Sequence, residues 1–177
     1  MGQVAYKLLK SKSCTEINEV KPKSYGYLLF RIGNEFYGIE ERKVYDVIGK
    51  EQIISIPFMP EYIIGVINYD NTIIPIMDLR RKFNFKKDSI SPAYENIAIV
   101  EIDHFRVGIV VDDITEYHEN ENENFYLTSS SDTTKRNISG FVKIGNQTGI
   151  LLDVEKIVIQ EKSELEILKN SILWSFK

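Results

Sequence analysis

Short apolar runs recur along this chain from Tyr25 onward, and most neighbouring runs are separated by only two residues. Alternating or continuous apolar runs of this length, joined by two-residue turns, are typical of β-hairpins. The pattern therefore predicts four hairpins. Their turns fall at Gly33-Asn34, Asp70-Asn71, Asp103-His104 and Gly145-Asn146.

Two segments between the first and second hairpins have other patterns. Val44, Val47 and Ile48 show the apolar spacing of a helix, so residues 40–48 are predicted to be helical. Residues 53–56 are predicted to form a short strand, which ends at a loop bounded by Pro57 and Pro60.

The remaining segments are assigned by their polarity. Residues 1–24 are mixed and polar and are predicted to be a tail, while 84–93 read as a connector and 117–137 as loops. Residues 153–159 are predicted to be a short helix or a strand extension. An apolar stripe within 161–177 predicts a C-terminal helix.

The two halves of the chain repeat one scheme. Gly65 precedes Asp78 by thirteen positions, and Gly140 precedes Asp153 by the same thirteen. Around Gly38, the sequence YGIEERKVYDVI also resembles VGIVVDDITEYH in the second half. A repeat of this length predicts two copies of a small module of about five strands, which would close into a barrel to remove its edges.

Composition agrees with a mostly β protein. The 177 residues include 26 Ile and 12 Val but only 11 Leu and 3 Ala, and β-branched side chains favour strands.

A net charge of −4 argues against a general nucleic-acid binder. One cysteine excludes an internal disulfide, and the absence of a signal peptide and of a long apolar run predicts a soluble, cytoplasmic protein.

No catalytic or metal-binding constellation stands out in the sequence. The two histidines, His104 and His118, lie in a predicted turn and beside an acidic loop, and neither has the neighbours of a nucleophilic triad. Asp112 and Asp113 are adjacent on a predicted strand end, so they face opposite sides. We expect Asp112 to bond backbone groups, and we expect no catalytic residue, metal or cofactor.

Several of these segments together resemble the CheW-like chemotaxis adaptor family: YLLFRIGNEFYGI, KVYDVI, GVINYDNTIIPIMDLRRKF, GIVVDDI and GFVKIGNQTGILLDVEKIV. The resemblance implies two five-stranded SH3-like β-barrels packed side by side, followed by a short C-terminal helix. On this basis residues 25–160 form a CheW-like domain with subdomains at roughly 25–83 and 94–160, between the tail (1–24) and the helix (161–177).

The resemblance also implies a function without catalysis. Family members bridge the cytoplasmic tips of methyl-accepting chemoreceptors and the regulatory domain of a CheA-type histidine kinase. We therefore expect an adaptor that is cytoplasmic and recruited to membrane-associated receptor arrays, without nucleic-acid binding or direct membrane insertion. The alternatives are a divergent CheW-like scaffold of a non-motility pathway and a small β-barrel module that binds nucleic acid or another ligand.

Two groups of partner-binding residues follow from the resemblance. The receptor groove of the family matches Leu28, Glu41, Val44, Val47 and Ile114 in this chain. The hairpin tip of the family matches Asp46, Asp70 and Asn71. The family carries an arginine at position 70 that pairs with an acidic residue at position 46, so this chain is expected to place two like charges there.

Overall fold

The computed structural model describes residues 26–84, 94–117, 125–127 and 137–160, and its fold is mostly β. The predicted tail and the predicted C-terminal helix lie outside the described residues. The strands are β1 Tyr27–Ile32, β2 Glu35–Glu40, β3 Val44–Gly49, β4 Ile63–Tyr69, β5 Thr72–Met77, β6 Asn96–Ile102, β7 Phe105–Val111, β8 Asp113–Tyr117, β9 Phe125–Leu127, β10 Ile138–Ile144 and β11 Gln147–Leu152. Helix α1 is Leu79–Lys82, and helix α2 covers 154–160.

All four predicted hairpins are confirmed, with their turns at the expected residues. Both residues of the second and third turns have positive φ angles, for example 48° at Asp70 and 59° at Asn71, whereas in the first and fourth turns the glycine has a positive φ, 62° at Gly33 and 56° at Gly145. The prediction of a short helix after the last hairpin is also confirmed by α2.

The segment predicted to be helical at residues 40–48 is instead a short 3-10 turn, Glu41–Lys43, followed by strand β3. Exposure alternates residue by residue along β3, which is the period of a strand. Residues 53–56 form only an isolated bridge, from Ile54 to Val66. Strand β9 lies within the region predicted to be loops, so that prediction is also corrected.

The strands form two sheets. Among the described residues, one sheet has six strands in the order β8-β1-β2-β11-β10-β9, and the other has five in the order β3-β6-β7-β5-β4. Each sheet takes strands from both halves of the chain, so the expected subdomains at 25–83 and 94–160 do not coincide with the sheets. The reason is that the chain passes from one sheet to the other between β2 and β3 and again between β7 and β8, so that β3 pairs with β6 and β8 pairs with β1.

The two sheets are equivalent in their pairing, as the sequence repeat predicts. Hairpins β4–β5 and β10–β11 each have a register shift at the same place, before Gly65 and before Gly140. In parallel pairings with the central hairpins, Ile76 lies beside Gly108. Leu151 lies beside Gly38 in the same way. Among the described strand pairs both sheets are open at their edges, so the predicted closed barrels are not observed.

The core explains why β1 and β6 are apolar at nearly every position. Alternate residues of the two strands meet in a cluster between the sheets, which we call the central cluster. The intervening residues pack on the other face, in a separate cluster within each sheet. Strands buried on both faces are expected to be continuously apolar. The central cluster includes Leu28, Phe30 and Ile32 of β1 and Ala98, Val100 and Ile102 of β6.

Candidate partner-binding site

A buried ion-pair network fixes the segments that lead into the site. Asp78 caps α1 by accepting a hydrogen bond from the backbone N–H of Arg80 at 2.9 Å. The guanidinium of Arg80 donates to Asp78 at 3.0 Å and to Asp112 at 2.8 Å. Asp112 also accepts from the backbone N–H of Gly33 at 2.7 Å, as its predicted structural role requires. One arginine therefore ties α1 to the β7–β8 junction and to the β1–β2 turn.

The second half has a counterpart of this network with the charges reversed. Asp153 lies at the start of α2, where its carboxylate accepts from the backbone N–H of Lys156 at 3.1 Å. Lys43, at the β2–β3 junction, forms an ion pair with Glu155. The chain passes from one sheet to the other just before β3 and just before β8. An ion pair lies at each passage: Lys43 with Glu155 before β3, and Asp112 with Arg80 before β8.

Three of the five predicted groove residues contact the same core. Val44 begins β3 and pairs with Val100, while Ile114 in β8 pairs with Phe30, so the two occupy equivalent positions. Both are half-buried and pack against the central cluster. Leu28 belongs to that cluster and is buried, which leaves little of its side chain for a partner.

The other two predicted groove residues face solvent. Val47 lies on β3 with 37% of its surface exposed, and Glu41 lies exposed in the 3-10 turn before that strand. Strand β3 is an edge of its sheet, and its exposed residues are accessible to another protein. Among the predicted groove residues, Val47 thus offers the most accessible apolar side chain.

At the hairpin tip, Asp46 has a partner that the sequence did not indicate. The hydroxyl of Tyr69 donates a hydrogen bond to one carboxylate oxygen of Asp46, and the backbone N–H of Val47 donates to the other at 2.7 Å. Asp70 and Asn71 are exposed in the turn. The contact observed at the tip is therefore a phenol–carboxylate hydrogen bond, and the expected proximity of Asp46 to Asp70 stays a prediction.

The electrostatics of the tip keep this phenol protonated. The hydrogen bond to Asp46, together with smaller contributions from desolvation and from the charges of Asp46 and Asp70, raises the pKa of Tyr69 to about 12. A phenol with a raised pKa remains a hydrogen-bond donor throughout the physiological range. Asp46 is thus a satisfied acceptor, whereas Asp70 is a solvated charge.

Sequence reasoning missed one contact at the hairpin tip and one exposed aromatic residue in the loop before β4. Tyr69 follows an apolar strand, and nothing in its neighbourhood marks a contact 23 positions away. Phe58 is fully exposed in the loop between Pro57 and Pro60, and its φ of 64° is uncommon for an aromatic residue. The proline pair was the only signal of this loop conformation.

The metal-ligating side chains of the described residues are dispersed. His104 is fully exposed in its turn, and His118 lies outside the described residues. In the part of the chain that the structure covers, no group of three or more metal-ligating side chains occurs. The described helices are all too short or too polar to span a membrane.

Comparison with known proteins supplies the family. The family model described as CheW-like domain matches residues 26–162. The chain belongs to the CheW-like domain family. The match spans all eleven of the described strands, so it concerns both sheets and not one motif.

Individual relatives agree with this assignment. The chain is 32% identical to the chemotaxis protein CheW of Klebsiella aerogenes over 147 residues, which are 78% of this chain and 84% of the relative. It is 26% identical to CheW of Treponema pallidum over 156 residues, covering 85% and 91%. The crystal structure of the scaffolding protein TtCheW from Thermoanaerobacter tengcongensis has a TM-score of 0.63 and 28% identity, over 74% of this chain and 90% of that one.

These comparisons support a role as a chemotaxis adaptor or scaffold. They also confirm the fold class, because TtCheW shares the arrangement of two small β domains. The comparisons do not identify partner-binding residues. Those residues stay a prediction, which rests on the positions at which this chain matches the family pattern.

Proposed function

We propose that this chain is a non-catalytic adaptor that binds the cytoplasmic tip of a chemoreceptor and the regulatory domain of a CheA-type histidine kinase. The observation that carries the proposal is the family match over residues 26–162. Binding both partners would couple the state of the receptor to the activity of the kinase. The adaptor would act in the cytoplasm, at membrane-associated receptor arrays.

The surface around β3 supports the receptor-binding part of this proposal. Val44 and Ile114 lie at equivalent ends of the crossing strands, and Val47 extends the apolar surface to solvent. An amphipathic helix docks by laying its apolar face on such a surface. Leu28 contributes by supporting this surface from the core, and Glu41 lies at its margin.

A divergent scaffold of a non-motility pathway is the second candidate. The observation in its favour is Asp70 at the hairpin tip, where the family pattern has an arginine. A reversed charge at an interface changes the choice of partner more than the affinity. Such a scaffold would bind a kinase and a receptor of its own through the same surfaces.

The test uses Val47, because its exposed side chain can be changed with little effect on the core. Val47→Asp should weaken binding of a soluble chemoreceptor cytoplasmic fragment at least about tenfold, since a partner would have to desolvate the new carboxylate. Val47→Thr keeps the shape and adds no charge, so it is the matched control and should bind nearly as the native protein does.

Titration calorimetry on both variants, with thermal unfolding as a check on the fold, measures this difference. Equal affinity of Val47→Asp and Val47→Thr for the receptor fragment would show that β3 is not part of the receptor-binding surface. Failure of the native protein to bind either the receptor fragment or the kinase regulatory domain would refute the adaptor function itself.

A further inference from the structure

The five-stranded sheet has two edges, β3 and β4, that no described backbone ladder joins. Asp46 lies on β3, immediately after the register shift in its pairing with β6. Tyr69 is the last residue of β4. The hydrogen bond from the Tyr69 hydroxyl to Asp46 therefore connects the two edges through side chains. A register shift of this kind re-aims a side chain, which here turns the carboxylate toward β4.

This connection determines which charge at the tip is available to a partner. One oxygen of Asp46 accepts from Tyr69 and the other from the backbone N–H of Val47. Asp70, by contrast, makes no hydrogen bond or ion pair among the residues that the structure describes. Its turn conformation, with φ of 48°, projects it from the tip of the β4–β5 hairpin.

We propose that Tyr69 is a positioning residue for partner binding: it holds β3 against the hairpin tip and leaves Asp70 as the anion that meets a lysine or arginine of the partner protein. The partner surface would combine an apolar residue over Val47 with a cation over Asp70. This inference rests on the proposed function and adds to it the chemistry of the partner at one point.

The alternative arrangement would use Asp46 as the free anion. It is disfavoured because a partner cation would have to compete with two hydrogen bonds already made to that carboxylate. Tyr69 does not lose its proton to make room, because its pKa is raised to about 12. The Tyr69 hydroxyl therefore remains a hydrogen-bond donor to Asp46 at neutral pH.

Three variants of the full chain separate these roles. Tyr69→Phe removes only the hydroxyl. Asp70→Asn removes the charge and keeps a residue that tolerates the turn conformation. Asp46→Asn removes a charge while retaining a carbonyl oxygen that can accept the hydrogen bond of Tyr69. The probe is the soluble cytoplasmic fragment of a chemoreceptor, titrated at low and high salt.

We expect Asp70→Asn to weaken binding about fivefold at low salt and to reduce the dependence of affinity on salt, as the loss of one exposed charge pair does. Asp46→Asn should have a smaller effect on both quantities. Tyr69→Phe should weaken binding at least as much as Asp70→Asn while keeping the native salt dependence, because it displaces β3 without removing a charge.

Two results would overturn the proposal. If the salt dependence of receptor affinity falls more in Asp46→Asn than in Asp70→Asn, Asp46 is the residue that contacts the partner cation. If Tyr69→Phe binds the receptor fragment with native affinity, Tyr69 is not a positioning residue.

An NMR titration of the Tyr69 ring tests the tie without any partner. A pKa near the ordinary value of 10 in the native protein would refute the tie and leave the adaptor function intact. If the native protein binds neither a receptor nor a kinase while the Tyr69 pKa is near 12, the adaptor function is refuted. The proposed contact between Asp70 and a partner cation is then refuted with it.

Discussion

Arg80 is a buried cation that joins distant parts of the fold. Its side chain is 2% exposed and satisfies two carboxylates, Asp78 and Asp112, which belong to different parts of the fold. Removing one partner of a buried ion pair leaves the other charge desolvated and unpaired, and that typically costs about 3–5 kcal/mol. This cost is much larger than the net value of the pair itself.

We therefore expect Arg80→Met to lower the free energy of unfolding by about 3 kcal/mol. The neighbouring Arg81 provides the control, because it is 43% exposed and lies 3.7 Å from Asp78. Arg81→Met should cost less than about 0.5 kcal/mol. Urea unfolding of both variants measures the difference, and equal losses would show that the buried network contributes no more than a surface pair.

Two glycines set how closely the hairpins approach each other. A Cβ atom at Gly38 would lie 2.7 Å from Leu29 and 2.9 Å from Leu151. At Gly108 it would lie 2.5 Å from Ile76 and 2.8 Å from Ile97. All four distances are too short for carbon atoms, so a Cβ on the second strand of either central hairpin would force neighbouring side chains to shift where the parallel strand lies beside it.

Gly38→Ala and Gly108→Ala should each reduce stability by about 1–3 kcal/mol, and by similar amounts because the two positions are equivalent. Gly49→Ala is the control, since a Cβ there has no neighbour within 4 Å. Thermal unfolding of the three variants tests this. Losses confined to one of the two sites would contradict the equivalence of the sheets.

The hairpins were predictable because they depend on local chemistry: apolar runs and the turn residues between them. The conformation of β3 was not, since Val44, Val47 and Ile48 have a helical spacing. In the strand Val47 is exposed, and Asp46 takes the half-buried position between Val44 and Ile48. The true state of β3 is decided by pairing with β6, about fifty residues away, and no local pattern encodes that pairing. The bond between Tyr69 and Asp46 was hidden for the same reason.

The crossing of β3 and β8 makes the two sheets interdependent. The repeat in the sequence predicted two equivalent modules, and the register of the paired strands confirms the equivalence. It could not reveal that each module completes its sheet with strands from the other half, because a repeat fixes similarity and not connectivity. Within residues 26–84, β1 and β2 therefore pair only with each other, and β3 has no partner strand unless the second half is present.

Cutting the chain within residues 85–93 tests this interdependence. Neither fragment should fold alone, and an equimolar mixture should regain β structure and cooperative unfolding, because each sheet requires both fragments. Circular dichroism of the separate and mixed fragments distinguishes the cases. Cooperative unfolding of either fragment by itself would mean that the halves are independent domains.

The central claim is that this protein joins a receptor to a kinase, and the most direct measurement is receptor-dependent autophosphorylation. Chemoreceptors in membranes, a CheA-type kinase and this protein would be combined, with each component omitted in turn. The account predicts that receptors change the kinase rate only when the protein is present, and that Val47→Asp abolishes the effect while Val47→Thr preserves it. A kinase that responds to receptors equally well without this protein would contradict the account.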